Sequence, residues 1–147
     1  MMDHVARRRR YYMMFARAHG WFLLRTKGRP GYMTPRLRCF VLVTTGRRSK
    51  QRRRVPLLYM PDEGGFIVMA SNFGQEHPPA WWLNLQATPD AAVQLQGREI
   101  AVRARELEGN ERTSVLARAI AYNKQWRGYA TKLHRTLPVV RLEPVSR

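Results

Sequence analysis

The most constraining feature of this sequence is a series of three runs typical of β-strands, joined by very short turns. The runs cover residues 38–45, 51–60 and 66–71. The turns between them, GRRSK and PDEGG, are too short for the crossover of about a dozen residues that a parallel pair of strands needs. Antiparallel strands are therefore predicted. Pro56 cannot donate a hydrogen bond within a sheet, so we expect it at an edge or a bulge.

Helices and further strands are predicted on both sides of these runs. Apolar residues at helical spacing predict an N-terminal helix over residues 4–26, and AWWLNLQA after two prolines is typical of a short helix. Gly97 marks a hairpin, and Asn110 is expected to cap a later helix. The chain closes with the strand LPVVRLEPV. This order favours an α+β fold, in which mostly antiparallel strands form a sheet or small barrel with an N-terminal helix and flanking helices.

The charge of the chain points to an anionic partner. Its 147 residues include 27 Lys and Arg against 10 Asp and Glu, for a net charge of +17. Such a surface suits nucleic acid, acidic lipid head groups, or a phosphorylated or polycarboxylate cofactor. Cys39 is the single cysteine, so an internal disulfide is excluded and a reducing compartment is expected. No apolar run reaches the ~20 residues that span a bilayer, and we expect a cytoplasmic protein.

The basic run TTGRRSKQRRRVP, residues 44–56, is the first candidate site. It holds six positive charges and no negative one. Strand alternation would project Arg52 and Arg54 from one face and Arg53 from the other. An arginine that faces a cleft needs an anion, and guanidinium groups pair well with phosphates and carboxylates. On composition alone, the alternative is a solvated charge run or a nonspecific polyanion patch.

Three further segments carry candidate residues, each with a purely structural alternative. Ser71 and Asn72 follow a strand, where they would either face a ligand or cap the loop. Trp81 and Trp82 are adjacent on a helix, so one can enter the core while the other lines a pocket. The aromatics of YNKQWRGYATK recur at helical spacing, and the Tyr129 phenol is a candidate proton donor. The four histidines have no metal-ligand spacing, and no hydrolase or nucleotide motif occurs, so any redox or group-transfer chemistry would come from a cofactor.

Four segments follow one another over roughly residues 36–144: LVTTGRRSKQRRRVPLLYM, IVMASNFG, HPPAWWLNLQATPDAAVQ and RTLPVVRLEP. Together they resemble the deazaflavin (coenzyme F420)-dependent nitroreductase and quinone reductase family. The resemblance implies a split β-barrel over residues 36–147, preceded by a basic and aromatic helix and loop over residues 1–35. It implies an enzyme that transfers a hydride from reduced F420 to a quinone-like or nitro-type acceptor. FMN is the alternative cofactor.

The resemblance also implies which residues form the site. Those expected at the coenzyme are Arg47, Arg48, Arg53, Pro56, Ala70, Ser71, Asn72, Trp81 and Asn84. Those expected to take part in catalysis are Ser71, Trp126 and Tyr129, and no metal is expected. Arg48 stands where a lysine is usual, while Lys50 and Arg52 replace a common glycine and proline. Trp126 stands where some nitro-reducing members have a tyrosine, which argues against nitroimidazole-type acceptors and leaves quinone-like acceptors open.

Two other functions stay open at this point. A protein of the same fold could bind F420, a flavin or a lipophilic ligand without turnover. The high charge also suits a nucleic-acid-binding protein, although no helix-turn-helix, zinc finger or comparable module is recognisable, so no specific nucleic acid is expected. The N-terminal helix is expected either to lie on the acidic inner face of the membrane and collect quinones, or to pack over the barrel. Lys50, Arg52 and Arg54 are assigned to the same membrane-facing positive surface as Arg7 to Arg10 of this helix. A homodimer is a further expectation.

Overall fold

The computed structural model of the protein describes residues 17–34, 37–132 and 135–145. Its helices are α1 (residues 17–25), α2 (Ala80–Ala87), α3 (Gly109–Tyr122) and α4 (Lys124–Lys132), with a short 3₁₀ turn at Asn72–Gly74. Its strands are β1 (Tyr32–Thr34), β2 (Leu37–Thr45), β3 (Arg52–Asp62), β4 (Gly65–Met69), β5 (Asp90–Leu95), β6 (Arg98–Glu106) and β7 (Val139–Pro144). The expected N-terminal helix is thus helical over 17–25, and its residues 4–16 lie outside the described residues.

The strands form one closed antiparallel barrel. Their order is β1-β2-β3-β4-β7-β6-β5, and β5 pairs again with β2, so six strands complete the ring while β1 extends from β2. Every pairing is antiparallel. The expectation of an α+β fold built on a split β-barrel is confirmed.

The split in the barrel lies along β3. This strand pairs with β2 from Arg52 to Tyr59, but it pairs with β4 only from Met60 to Asp62. Over most of its length, β3 therefore has one edge that no other described strand covers. Pro56 lies in this stretch, opposite Val41, and its expected place at a sheet edge is confirmed, because a proline there costs no ladder hydrogen bond.

Alternation along β2 divides the core between the inside and the outside of the barrel. Phe40 faces inward and stacks on Tyr59 with ring centroids 4.6 Å apart. Cys39 faces outward, where Leu23 of α1 packs against it. A third cluster lies between the outer face of β4 and β7 and the two C-terminal helices; its buried members are Met60, Ile67, Met69, Leu107, Val115, Ala119, Trp126, Leu137 and Val139.

Two local predictions were wrong. Asn110 does not cap α3, because the helix begins at Gly109 and Glu108 occupies the N-cap in extended conformation. The reason is that Leu107 is still fixed by a hydrogen bond to the Val139 carbonyl, so the chain turns into the helix directly after it. The loop predicted between the N-terminal helix and the barrel contains a short strand, β1. No helix in the described part of the chain is both long and apolar enough to cross a bilayer.

Candidate active site

A cleft of about 640 Å³ opens along the uncovered edge of β3, a volume typical of small-molecule and cofactor sites. Its walls come from residues 53–58 of β3, the turn after β2, the loop after β4, and helices α1, α2 and α4. Four arginines and no acidic residue are among the described residues that line it. The cleft therefore suits a ligand that carries negative charge at one end.

The structure brings nearly all the expected site residues to this cleft. Those that line it are Arg47, Arg48, Arg53, Pro56, Ser71, Asn72, Trp81, Asn84, Trp126 and Tyr129. Ala70 is different: it is fully buried in the barrel core and is not part of the cleft wall.

The basic turn after β2 is held in shape from α2. The Gly46 N–H donates to the Gln51 carbonyl at 2.8 Å, which closes the turn. Asn84 is buried, and its Oδ1 accepts the backbone N–H of Arg47 at 3.1 Å. Its Nδ2 donates to Thr44 Oγ1, also at 3.1 Å. Because the oxygen and the nitrogen of the Asn84 amide both make hydrogen bonds, the backbone that carries Arg47 and Arg48 is held in one position.

The three arginines of β3 divide between two faces, as the strand alternation predicts. Arg52 donates to Glu99 Oε1 at 2.5 Å, and Arg54 donates to Gln94 Oε1 at 2.6 Å. Gln94 in turn donates to Glu99 at 3.1 Å, so both arginines share one polar cluster. The hydrogen bonds from Gln94 and Arg52 hold the pKa of Glu99 below its usual range. Arg53, on the other face, lines the cleft, and Arg54 reaches the cleft wall as well.

This cluster gives Arg52 and Arg54 partners within the chain. Arg52 is committed to Glu99, and Arg54 also donates to the Leu24 carbonyl of α1 at 2.5 Å. Both arginines therefore have partners within the chain that explain why they are present. Lys50 stays exposed at the tip of the turn, with a φ of 60°.

The loop after β4 is braced by Arg135. Its guanidinium donates to the carbonyls of Ala70 at 2.9 Å, Ser71 at 3.2 Å and Gln75 at 3.2 Å. Ser71 is buried, and its hydroxyl makes no capping hydrogen bond to the 3₁₀ turn that follows. The capping alternative for Ser71 is therefore unsupported. Asn72 donates to the His77 carbonyl at 3.1 Å, which closes the far side of the loop.

Aromatic side chains complete the walls. Trp81 and Trp82 are both buried and both pack in the barrel core, but only Trp81 also lines the cleft. This difference is expected, because adjacent residues on a helix point in different directions. Trp126 is 5% exposed and joins the cluster on the outer face of β4 and β7. Tyr129 lies over Gly74, where an added Cβ would come 3.1 Å from its ring. The two C-terminal aromatics thus close one end of the cleft.

Several cleft residues were not predicted from the sequence. Helix α1 contributes His19, Gly20 and Leu23, and α4 contributes Gln125. The signal that could have shown this is a glycine in the middle of a helical pattern, which often marks a close approach. Cys39 also reaches the cleft wall; burial raises the pKa of its thiol to about 12, so it is a packing residue rather than a nucleophile.

The comparisons with known proteins agree with this geometry. The family model for F420H(2)-dependent quinone reductase matches residues 14–144. The chain belongs to this family. A putative F420H(2)-dependent quinone reductase of Mycobacterium tuberculosis is 32% identical over 98 residues, which are 67% of this chain and 82% of that protein.

Two solved structures of similar sequence share the fold. An F420-H2-dependent reductase superposes with a TM-score of 0.65 at 33% identity, covering 71% of this chain and 93% of that one. A second structure, described as a domain-swapped dimer, gives a TM-score of 0.66 at 33% identity and covers 71% and 79%. Family membership confirms the expectations of an F420-dependent oxidoreductase, of coenzyme F420 as its cofactor, and of a quinone as its substrate.

Proposed function

We propose that the cleft along β3 binds reduced F420, with its anionic tail at Arg47, Arg48 and Arg53, and passes a hydride to a quinone-like acceptor. The observation that carries this proposal is the charge of the cleft, whose described walls hold arginines and no acidic residue. Guanidinium groups bind phosphate and carboxylate oxygens through paired hydrogen bonds. Asn84 serves this grip indirectly, because it fixes the backbone of Arg47.

The remaining cleft residues suit the flat ring of the coenzyme. When bound, reduced F420 supplies two electrons and a proton together, as hydride. Pro56 and Trp81 offer apolar surface, and Ser71 and Asn72 offer polar groups at the loop that Arg135 braces. The role of the chain is to orient the two reactants and to exclude water from between them.

Reduction of a quinone to a hydroquinone consumes one proton in addition to the hydride. We assign that proton to the Tyr129 phenol, with Trp126 as the apolar wall beside it; both residues line the cleft. A phenol O–H can donate to a quinone oxygen as negative charge develops there. Solvent then returns the proton to the tyrosine.

The outer face of α1 supports a peripheral contact with an acidic membrane surface. Trp21 and Phe22 are 58% and 50% exposed, and the Arg25 guanidinium lies 4.9 Å from the Trp21 ring centroid. Exposed aromatics beside cations are typical of helices that lie at the lipid interface. Co-sedimentation with vesicles containing anionic lipid tests this contact. Replacement of Trp21 and Phe22 by Gln should abolish it, and unchanged partitioning of that variant would contradict it.

We also propose a homodimer. The support is that a structure 33% identical to this chain is a domain-swapped dimer. Light scattering on the eluting protein gives the mass directly, and a mass of 17.2 kDa across the working concentration range would contradict the proposal.

The decisive experiment for the function is oxidation of reduced F420 by menadione, followed through the absorbance and fluorescence of the oxidised coenzyme. We expect multiple turnovers, and a nitroimidazole assayed in parallel tests the nitro-type acceptors. Tight F420 binding without turnover would favour the non-catalytic binding protein instead. Failure to bind F420, together with salt-sensitive binding of duplex DNA, would overturn the proposal altogether.

A further inference from the structure

Helix α1 lies unusually close to the uncovered edge of β3. A Cβ added at Gly20 would come 2.9 Å from Pro56 Cγ. The proline ring is locked to the backbone, so it cannot move aside as the tip of a flexible side chain would. Gly20 thus allows the helix to approach the strand more closely than any residue with a side chain could.

A second contact fixes the end of the same helix. The Arg54 guanidinium donates to the Leu24 carbonyl at 2.5 Å and to Gln94 Oε1 at 2.6 Å. Gln94 is 6% exposed and is itself held by Glu99. The arginine therefore joins the C-terminal turn of α1 to β3 and β5 through a polar cluster that is already ordered.

The residues that this docking brings to the cleft differ from those at the basic turn. Helix α1 supplies His19, Gly20 and Leu23, and the strand surface beneath it supplies Leu58. The coenzyme tail needs cations, which the turn after β2 provides. The α1 side offers apolar surface with one imidazole, beside an Arg54 guanidinium that is already bonded to the Leu24 carbonyl and to Gln94. Such a surface suits a flat apolar molecule that carries carbonyl oxygens.

We infer that α1 forms the acceptor side of the cleft, and that Gly20 is a specificity-determining position because it sets the separation between this wall and β3. Arg54 is a positioning residue that holds the wall in place. The identity of the acceptor as a quinone rests on the proposed function; the location of its binding surface rests on the contacts of α1 alone.

Gly20→Ala tests the inference, with Gly128→Ala as its matched control. Both substitutions add one methyl group to a helical glycine, but at Gly128 in α4 an added Cβ meets nothing within 4 Å. We expect Gly20→Ala to weaken menadione binding and raise its KM by roughly fivefold or more. The Kd for F420 should stay within about twofold, and Gly128→Ala should change neither quantity.

Menadione binding is measured without coenzyme, by quenching of tryptophan fluorescence, so that it does not depend on turnover. A longer-tailed quinone should be affected more strongly than menadione if the wall limits acceptor size. Loss of F420 affinity in Gly20→Ala with unchanged menadione binding would overturn the inference, since α1 would then belong to the coenzyme site. Equal effects of the two alanine variants would overturn it as well.

Arg54→Met provides an independent test if Gly20→Ala does not fold. It keeps the aliphatic stem but removes the bond to the Leu24 carbonyl, and Arg52→Met removes the neighbouring ion pair without touching α1. We expect faster amide hydrogen exchange in residues 17–25 and weaker menadione binding for Arg54→Met alone. Unchanged exchange and binding would overturn the positioning role. Menadione binding without oxidation of reduced F420 would refute the proposed function while leaving this inference intact.

Discussion

The side-chain amide of Asn84 and the backbone of Arg47 form the contact that connects α2 to the basic turn. Asn84 Oδ1 lies 3.1 Å from the Arg47 nitrogen and 3.5 Å from its guanidinium Nη1. The sequence resemblance assigns Asn84 to the coenzyme, but in the structure both of its polar atoms are used by the protein. We therefore propose that Asn84 contributes to coenzyme binding by holding Arg47 in place.

This relationship predicts a large effect of Asn84→Ala. Without the amide, the Arg47 N–H and the Thr44 hydroxyl both lose a partner, and we expect a loss of about 1–3 kcal/mol in the free energy of unfolding. The Kd for F420 should rise about tenfold, because the turn is no longer preorganised. Thr44→Val removes only the bond to Asn84 Nδ2 and keeps the bond to the Arg47 N–H, so it should raise the Kd less than Asn84→Ala does. Equal Kd values for both variants, measured by F420 fluorescence, would argue against the positioning role of Asn84.

Adjacent arginines on β3 should behave differently. Arg53 lines the cleft, whereas Arg52 is paired with Glu99 and is 63% exposed. Arg53→Met should raise the Kd for F420 tenfold or more, since a hydrogen bond to a charged group contributes about 1.5–3 kcal/mol. It should also reduce the salt dependence of binding, because one charge contact is lost. Arg52→Met should change the Kd by less than about twofold; a comparable loss in both variants would indicate a nonspecific charge effect.

Strand β3 and its neighbours show how much of the fold and the site can be predicted from the sequence. The alternation of β3 follows from the two-residue period of a strand, and the edge position of Pro56 follows from its missing N–H; both are local properties that a sequence displays. The glycine within the helical pattern indicates that α1 makes a close approach, but it does not show to what. That Gly20 meets Pro56, and that Arg54 bonds to Leu24, depends on where α1 docks, which no local pattern encodes. Asn110 shows the converse case, in which a good capping residue is passed over because β6 and Leu107 decide where the helix begins.

The hydrogen bonds that Arg135 donates to the loop after β4 predict that this arginine supports turnover as well as stability. Arg135→Met removes three hydrogen bonds to loop carbonyls. We expect a loss of about 2 kcal/mol in stability and a tenfold lower kcat, since Ser71 is no longer held at the cleft. Arg112→Met is the matched control, because Arg112 also donates to a buried carbonyl, that of Leu137 at 2.7 Å, but does not line the cleft. A kcat that falls equally in Arg112→Met would attribute the effect to general destabilisation.

The proposed proton donor predicts a selective loss in Tyr129→Phe. Proton transfer from a positioned group contributes about a hundredfold or more to a rate, so the kcat with menadione should fall by about that factor while the Kd for F420 is unchanged. The solvent isotope effect should rise, because proton transfer becomes slower than hydride transfer. Tyr122→Phe is the control: its hydroxyl accepts the Arg38 N–H at 3.2 Å, so this variant should lose stability without losing kcat. An unchanged rate in Tyr129→Phe would transfer the proton donation to another group.

A carboxylate remote from the cleft should control stability at low pH. Asp62 accepts hydrogen bonds from Arg141 at 2.7 Å and from Arg118 at 3.0 Å. Burial raises the pKa of Asp62, but these two guanidinium groups outweigh that effect and hold it below its usual range. A depressed pKa in the folded state means that the stabilisation is complete above the unfolded value of about 3.9 and is lost as the pH falls through the folded value.

Asp62→Asn should therefore lower the free energy of unfolding by about 3 kcal/mol at neutral pH. The reason is that it leaves Arg141, which is 5% exposed, without its charge partner. The difference from the wild type should shrink as the pH is lowered from about 4 towards 2, since protonation removes the same charge. Urea unfolding at several pH values measures both quantities. Asp90→Asn is the control: its ion pair with Arg103 is 71% and 62% exposed, so it should cost less than about 1 kcal/mol. A penalty for Asp62→Asn that does not change with pH would show that packing around the side chain, rather than its charge, stabilises the barrel.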